Sequence, residues 1–265
     1  MVLHHNITRP LLTSSKDENK VVALSGPSDL DYVVSLFSLS RLGYTVLLLS
    51  PRLASNAVLS LLRETSCNII LHPDSAHHVS VIAKVLADKS VTTINMMHRS
   101  DYDRPSCTSP RFNREVDKKS ETSKVAMICH SSGSTGLPKP IYQHHGRIIA
   151  RLPRGAGTRD FSTFPWYHSW GNKVCVNTMF MRKTMYLWSS NQPMTADGLI
   201  QVLEAVKPGV LHAVPYVIKL LGEKKEGVEA MKMCTEVVYS GSQCPEKLGE
   251  YLVESGVRLG TLFGA

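Results

Sequence analysis

An apolar segment that runs into hydroxyls, glycines and one lysine is the part of the sequence best suited to chemistry. Four Ser or Thr residues, two Gly and one Lys follow the predicted strand at 124–130. Glycines let backbone N–H groups turn toward an anion, hydroxyls donate hydrogen bonds and lysine supplies charge. Because a hydrogen bond to a charged group contributes about 1.5–3 kcal/mol, several converging donors could hold a phosphate chain. The candidate phosphate-binding residues are Ser131, Ser132, Gly133, Ser134, Thr135, Gly136 and Lys139.

Two alternative interpretations of this segment stay open. One is a Ser- and Gly-rich turn that only connects a strand to a helix. The other is the loop of a P-loop NTPase, G-x-x-x-x-G-K-[ST], in which the lysine directly follows the second glycine. Here two residues separate Gly136 from Lys139, and Pro140 stands where that loop has the Ser or Thr that holds Mg²⁺. The spacing therefore disfavours a P-loop NTPase.

The order S-S-G-S-T-G-x-P-K from Ser131 to Lys139, followed by His145, resembles the phosphate-binding signature of the adenylate-forming superfamily. That superfamily comprises acyl-CoA synthetases, luciferases and the adenylation domains of nonribosomal peptide synthetases. Its members typically have glycine where this chain has Pro140, a change that stiffens the backbone and removes one N–H donor. The closest resemblance is to fungal synthetase-like proteins, in which an adenylation domain precedes a carrier domain and a reductase or a thioesterase.

Three later segments resemble superfamily motifs in the same order along the chain. Residues 165–171 resemble P-x-x-H-x-x-G, whose histidine lies beside the acid and the adenylate. Residues 239–245 resemble a Gly-rich turn that lines the adenine and acyl pockets. Residues 263–265 resemble the opening of Y-G-x-T-E, whose aromatic residue packs on adenine. Together with an upstream segment at 39–52, the resemblance extends from about Val21 to Ala265.

The resemblance implies site residues beyond the phosphate segment. His168 and Trp170 are the implied substrate-binding residues, with Trp166 and Val214 as further candidate walls. A purely structural role is the alternative for each, because His168 could be a packed core histidine and Ser242 a turn residue. The implied nucleotide-binding residues of these segments are Gly241, Ser242, Phe263, Gly264 and Ala265.

The implied reaction is ATP-dependent activation of a carboxylic acid to an acyl-adenylate, with Mg²⁺ as cofactor. The implied acceptor is a thiol, on a phosphopantetheine carrier domain or on CoA. The Thr and Glu of Y-G-x-T-E, the Glu being the Mg²⁺ ligand, would follow Ala265, as would the lid with its catalytic lysine. We therefore expect a truncated fragment that is not active alone and forms marginally stable or aggregating protein. The alternative is a catalytically dead nucleotide-binding or partner protein.

Elements that would position these residues follow from the hydrophobic pattern. Short apolar runs alternate with amphipathic stretches of helical length, which is typical of β-α units. The pattern predicts an α/β fold with parallel-rich, layered sheets flanked by helices, and Ser28 and Gly43 as the caps of the first helix. The predicted strands are 21–25, 45–49, 68–71, 91–95, 124–130, a strand near 185, 210–213, 236–239 and 258–263. The predicted helices are 29–42, 53–65, 76–87, one after 144, 196–206 and 246–254.

The domain organisation that we expect is an N-terminal extension at 1–20 and an incomplete AMP-binding domain at 21–265. A polar stretch near 97–123 without periodicity predicts an exposed linker. Hydrophobic residues make up 43% of the 265, which excludes a wholly disordered chain.

The formal charge of +8 is spread along the chain without an aromatic-interleaved basic stripe, so we expect no nucleic acid partner. The longest aliphatic run, 46–49, is far too short to cross a bilayer, and we expect a cytoplasmic protein. The six cysteines are widely spaced, which supports neither zinc nor a disulfide framework. No histidine pair has the spacing of a helical metal site, so no metal-binding residue is assigned.

Overall fold

Runs of Val, Ile and Leu that the sequence places between helical stretches become the central strands of two sheets. The computed structural model describes residues 20–75, 82, 83, 85, 90–103, 115–131, 136–190 and 192–262. The chain divides into two compact units, Met1–Ile149 and Ala150–Ala265.

The first unit is built on a six-stranded sheet in the order β4-β3-β1-β2-β5-β6. All neighbouring strands are parallel except the last pair, in which β6 runs antiparallel to β5. The strands are β1 (Val21–Ser25), β2 (Thr45–Leu49), β3 (Ile69–His72), β4 (Thr92–Asn95), β5 (Val125–His130) and β6 (Pro140–His144). The helices are α1 (Leu30–Leu42), α2 (Ser55–Glu64), α3 (Arg99–Tyr102), α4 (Lys118–Ser123) and α5 (His145–Arg151), of which α5 ends in the second unit.

The caps of α1 show how local sequence sets the ends of an element. The prediction of Ser28 as the N-cap is wrong, because the side chain of Asp29 accepts the N–H of Tyr32. A carboxylate at this position also suits the positive end of the helix. Gly43, the predicted C-cap, has φ 93°, a left-handed conformation that glycine adopts without steric cost.

The second unit is built on a five-stranded, all-parallel sheet in the order β11-β10-β9-β7-β8. Its strands are β7 (Asp160–Ser162), β8 (Met185–Leu187), β9 (Val210–Ala213), β10 (Glu236–Tyr239) and β11 (Leu259–Thr261). Its helices are α6 (Ser169–Phe180), α7 (Ala196–Val206), α8 (Pro215–Gly222), α9 (Lys225–Lys232) and α10 (Glu246–Glu254), and a 3-10 turn spans Leu152–Arg154.

Each unit has its own core. In the first, Leu47, Ile70 and Ile128 pack with Leu61 of α2. In the second, residues of β7, β9 and β10 pack with residues of α7 to α10. The predicted α/β class with parallel-rich sheets is therefore confirmed.

Within the segment predicted as an exposed linker, the structure places the short helices α3 and α4. The helix predicted at 76–87 lies mostly outside the described residues, but Ile82 and Val85 are helical and buried. The predicted strands and helices omitted β6, β7, α6, α8 and α9.

Candidate functional site

The candidate phosphate segment connects two antiparallel strands in the first unit. β5 ends at His130 and β6 begins at Pro140, and these two residues are partners in the register of the pair. Residues 131–139 therefore form the connection of a hairpin. Ser132, Gly133, Ser134 and Thr135 lie outside the described residues.

Two hydrogen bonds close the base of this connection. The N–H of Ser131 donates to the carbonyl of Lys139 at 3.0 Å. The N–H of Lys139 donates to Oγ of Ser131 at 2.9 Å. The structure thus brings together the first and the last of the candidate phosphate-binding residues. We call this bonded pair the Ser131–Lys139 clamp.

The described residues of the connection leave its outer side open. Gly136 and Lys139 are exposed, and a Cβ on Gly136 would meet no atom within 4 Å. Pro140 opens an edge strand, a place where a proline is tolerated because no further strand needs its N–H. An anion could therefore approach the exposed lysine and the turn at Gly136 without displacing core residues.

The start of α6 in the second unit carries the predicted substrate-binding residues. His168 is the N-cap of α6, and its Nδ1 accepts the N–H of Trp170 at 3.3 Å. The His168 ring is exposed and lies 5.1 Å from the ring of Phe164, measured between centroids. His168 is thus not a packed core histidine, the alternative that its aromatic neighbours in the sequence suggested.

Glycine is required at position 171, three residues after His168, for a steric reason. A Cβ on Gly171 would lie 2.2 Å from the carbonyl oxygen of Pro165, much closer than any real contact. Only glycine lets the first turn of α6 fold back against Pro165.

The Gly-rich turn after β10 lies beside the same aromatic residue. Gly241 has φ 97°, and a Cβ there would contact Val214 Cγ1 at 3.7 Å and Phe164 Cε1 at 3.9 Å. Gly241 and Ser242 are exposed. The structure thus brings His168, Phe164, Val214 and Gly241 together, all after the carboxyl ends of parallel strands, where α/β folds bind ligands. Phe263, Gly264 and Ala265 lie outside the described residues.

Trp170 contacts both a cation and a buried histidine. Lys173 Nζ is 4.4 Å from the centroid of the indole, a cation–π geometry. Partial burial lowers the pKa of Lys173, and the charges of Arg151 and Arg154 lower it further. The Trp170 ring also meets that of His212 edge-on, with 6.0 Å between the ring centroids.

A buried polar layer beneath α6 is the feature that sequence reasoning missed. Asp160 Oδ2 lies 3.4 Å from His212 Nε2 and accepts the hydroxyl of Thr178 at 3.2 Å, and Oδ1 accepts that of Thr158 at 2.7 Å. The only sequence signal was a polar residue inside each short strand. Within the described part of the chain, His212 Nδ1 and Trp170 Nε1 are buried without a hydrogen-bond partner.

Across the described ranges, no three His, Cys, Asp or Glu side chains form a group that could hold a metal ion. None of the helices in those ranges is long and apolar enough to span a bilayer.

Comparisons with known proteins show which proteins this chain resembles in sequence. The chain is similar to an adenylate-forming reductase of Aspergillus terreus, with 29% identity over 58% of this chain and 15% of that protein. It is also similar to a carboxylic acid reductase of Neurospora crassa, with 22% identity over 98% of this chain and 26% of that protein. The chain thus spans about a quarter or less of the length of these relatives.

The fold matches a solved structure over the whole chain. The N-terminal subdomain of NpsA from Klebsiella oxytoca, in complex with 3-hydroxybenzoyl-AMSN, superposes with a TM-score of 0.77 at 16% identity. The match covers all of this chain (100%) and 63% of that one. The family model described as "AMP-binding enzyme" matches residues 11–265. Since that match covers nearly the entire chain, the protein belongs to the family of AMP-binding enzymes.

Proposed function

We propose that this chain binds ATP and serves the activation of a carboxylic acid to an acyl-adenylate. In that reaction a carboxylate oxygen attacks the α-phosphorus of ATP. The new O–P bond forms as the bond to the β-phosphate breaks, and pyrophosphate leaves. Catalysis of such a step depends mainly on positioning and on neutralising phosphate charge.

The observation that carries the proposal is the Ser131–Lys139 clamp. It closes the hairpin connection so that an exposed lysine and the hydroxyl- and glycine-rich stretch belong to one short loop. We assign the phosphates of ATP to this loop, with Lys139 at its rim, through the residues predicted from the sequence. Family membership supports the same assignment.

The remaining binding roles that we propose are those predicted from the sequence. His168 and Trp170 would contact the acid, and Gly241 and Ser242 would line the nucleotide. The cations Lys173, Arg151 and Arg154 would favour an anionic substrate near Trp170. We leave the thiol acceptor open between a carrier domain and CoA.

The hairpin connection does not suit Mg²⁺ as a protein-held metal. Mg²⁺ in nucleotide sites is usually bound through one or two carboxylates and the phosphates, and residues 130–140 include no Asp or Glu. Hydroxyls, backbone N–H groups and lysine instead suit the anionic phosphates. We therefore assign this segment to the phosphates and derive no step through the metal.

The first experiment is a titration of ATP against the 265-residue chain and its Lys139→Ala variant. Because Lys139 is exposed, we expect a loss of about 1–2 kcal/mol of affinity, roughly a five- to thirty-fold weakening, with unfolding unchanged. Lys119→Ala is the matched control, since Lys119 is an exposed lysine of α4 in the same unit. Equal affinities of wild type and Lys139→Ala would contradict the proposal.

A second experiment separates the proposal from its alternatives. ATP–pyrophosphate exchange with pooled carboxylic acids measures adenylate formation by this chain. Exchange that requires an acid would support an active ligase, and binding without exchange would favour a non-catalytic nucleotide-binding protein. ATP hydrolysis without an acid would favour a P-loop NTPase.

A further inference from the structure

His130 joins the end of β2 to the hairpin connection through its two ring nitrogens. Nε2 lies 3.2 Å from the backbone nitrogen of Ser50, the residue that follows β2. Nδ1 lies 3.0 Å from the carbonyl oxygen of Ser131. The same Ser131 makes both hydrogen bonds of the Ser131–Lys139 clamp. One imidazole therefore connects a central strand to the base of the candidate phosphate loop.

The partners of His130 determine where its proton lies. A backbone N–H only donates, so Nε2 must present its lone pair to Ser50. A carbonyl oxygen only accepts, so Nδ1 must carry the proton that bonds Ser131. Both contacts together require the neutral ring in its Nδ1–H tautomer. A proton on Nε2 would place two N–H donors opposite each other, one from His130 and one from Ser50. The hydrogen bond that connects His130 to the end of β2 would then be lost.

The surroundings of the ring favour the neutral form. Burial lowers the pKa of His130 from its ordinary value of 6.5, and the bond to the Ser131 carbonyl opposes this in part. The segments that flank His130 carry few titratable side chains. These are Cys129 on β5 itself, Arg52 after β2, Lys139 in the hairpin connection, and Tyr142 and His144 on β6; burial raises the pKa of the Cys129 thiol, which keeps it neutral.

We propose that His130, as the neutral Nδ1–H tautomer, is the positioning residue that fixes the base of the phosphate loop against β2. The proposal rests on the assignment of ATP phosphates to residues 131–139. His130 does not touch the phosphates itself; it acts through Ser131 and the clamp. Protonation or replacement of the ring would therefore weaken nucleotide binding while leaving Lys139 in place.

Two replacements separate the hydrogen bonds from the volume of the ring. His130→Phe keeps an aromatic ring but removes both nitrogens, whereas the neutral amide of His130→Gln offers an acceptor for the Ser50 N–H and a donor for the Ser131 carbonyl. The matched control is His72→Phe. His72 also ends a strand of this sheet and bonds the carbonyl of the next residue, Pro73, but β1 and β2 lie between β3 and β5.

The decisive measurement is the affinity for ATP of the 265-residue chain as a function of pH. Near pH 8 we expect His130→Phe to bind about ten-fold more weakly than wild type, and His130→Gln to bind within about three-fold. As the pH falls below 6.5, the wild type should weaken progressively relative to His130→Gln, which cannot be protonated, because burial lowers the pKa of His130 from that value. The ratio of the ATP affinities of these two proteins cancels the effect of the titration of ATP itself. His72→Phe should follow the wild type.

Nitrogen NMR of the wild type tests the tautomer without nucleotide and without any variant. We expect the His130 signal to report a protonated Nδ1 and an unprotonated Nε2 near neutral pH. A protonated Nε2, or a constant affinity ratio across the pH range, would overturn the role of His130. If ATP binds the wild type but His130→Phe binds it equally well, this inference alone fails. A wild type that binds no ATP would overturn the proposed function and this inference with it.

Discussion

The two sheets of this protein bury their faces in different ways. In the first unit, adjacent residues along β1 and β2 point to opposite faces, and both faces are apolar and almost fully buried. The residues are Val22, Ala23, Leu24, Val46, Leu47, Leu48 and Leu49, each at most 1% exposed. Along β1, β2 and β5, hydroxyl and imidazole side chains stand only at the first or last residue, namely Thr45, Ser25 and His130.

In the second unit, one face of the sheet is apolar and the other mixes buried valines, Val210 and Val238, with buried polar residues. Phe161, Leu211 and Val237 contribute to the core beneath α7 to α10. On the opposite face, the alternating positions Asp160 and His212 are polar, and both are buried at 4% and 7% exposure. The hydroxyl of Thr178 on α6 reaches Asp160 across this face. The hydrogen bond between Thr178 and Asp160 therefore links α6 to the sheet, beside the buried Val174 and Cys175 of the same helix.

This difference between the two sheets affects how firmly the candidate substrate-binding residues are held in place. An apolar interface tolerates small shifts because dispersion and burial have no direction, whereas a buried carboxylate holds its donors at fixed positions. The helix held in this way is the one that presents His168 and Trp170 at its first turn. The polar layer thus ties the orientation of the candidate substrate residues to the strands β7 and β9.

The substitution with the largest expected effect on stability is Asp160→Ala. Asp160→Ala would leave His212 and two threonine hydroxyls without their shared acceptor, so we expect a loss of about 3–5 kcal/mol in the free energy of unfolding. The measurement is urea unfolding, with hydrogen exchange of β7 and β9 to locate the loss. Leu47→Ala is the apolar counterpart in the first unit, where a cavity costs about 2–5 kcal/mol. An Asp160→Ala chain that loses less than about 1 kcal/mol would show that the layer does not stabilise the second unit.

The substitution with the next largest expected effect on stability is Gly171→Ala, in the first turn of α6. Gly171→Ala would place a methyl group against the Pro165 carbonyl, so we expect a loss of about 2–3 kcal/mol and a displaced His168. Gly249→Ala is the matched control in α10, because a Cβ there would meet no atom within 4 Å. It should gain about 0.5–1 kcal/mol through higher helix propensity. Thermal unfolding of both variants tests the pair, and a harmless Gly171→Ala would contradict the steric account.

Periodic apolar patterns predicted the elements whose cores are apolar. The bounds of β1, β2, α7, β9, β10 and α10 are confirmed residue for residue. β7 and α6 were missed for one physical reason: the polar layer places Asp160, Asn172 and Thr178 where the pattern needs apolar residues. A three-residue strand and a helix with buried polar side chains leave no amphipathic period to detect.

The candidate site was accessible to sequence reasoning only in part. The composition of residues 131–139, directly after a predicted strand, indicated phosphate chemistry. The clamp could not be predicted, because it depends on the antiparallel pairing of β5 with β6, which the sequence pattern did not reveal. The pairing of Asp160 with His212 requires the register of strands that lie far apart in sequence. The assigned binding roles themselves stay predictions.

The smallest expected effect is that of removing one threonine hydroxyl in each unit, Thr178 on α6 and Thr45 on β2. Thr178 Oγ1 lies 3.2 Å from Asp160 Oδ2 and 2.9 Å from the carbonyl of Val174, and a hydroxyl has only one proton to donate. Thr178→Val would therefore remove one of several donors to Asp160, and we expect a loss of about 1 kcal/mol. Thr45→Val in the first unit removes the only side-chain hydrogen bond that Thr45 makes in the described chain, to the Val125 carbonyl at 2.8 Å, and should cost a similar amount.

A double-mutant cycle distinguishes these two threonines. In an Asp160→Ala background, Thr178→Val should cost less than in the wild type, because the carboxylate that it serves is already gone. Thr45→Val should cost the same in both backgrounds, since Val125 and Asp160 belong to different sheets. Thr178→Ser, which keeps the hydroxyl, should stay close to wild type in urea unfolding. Additive effects of Asp160→Ala and Thr178→Val would mean that Thr178 binds the Val174 carbonyl alone, and that α6 is not tied to β7 through this hydroxyl.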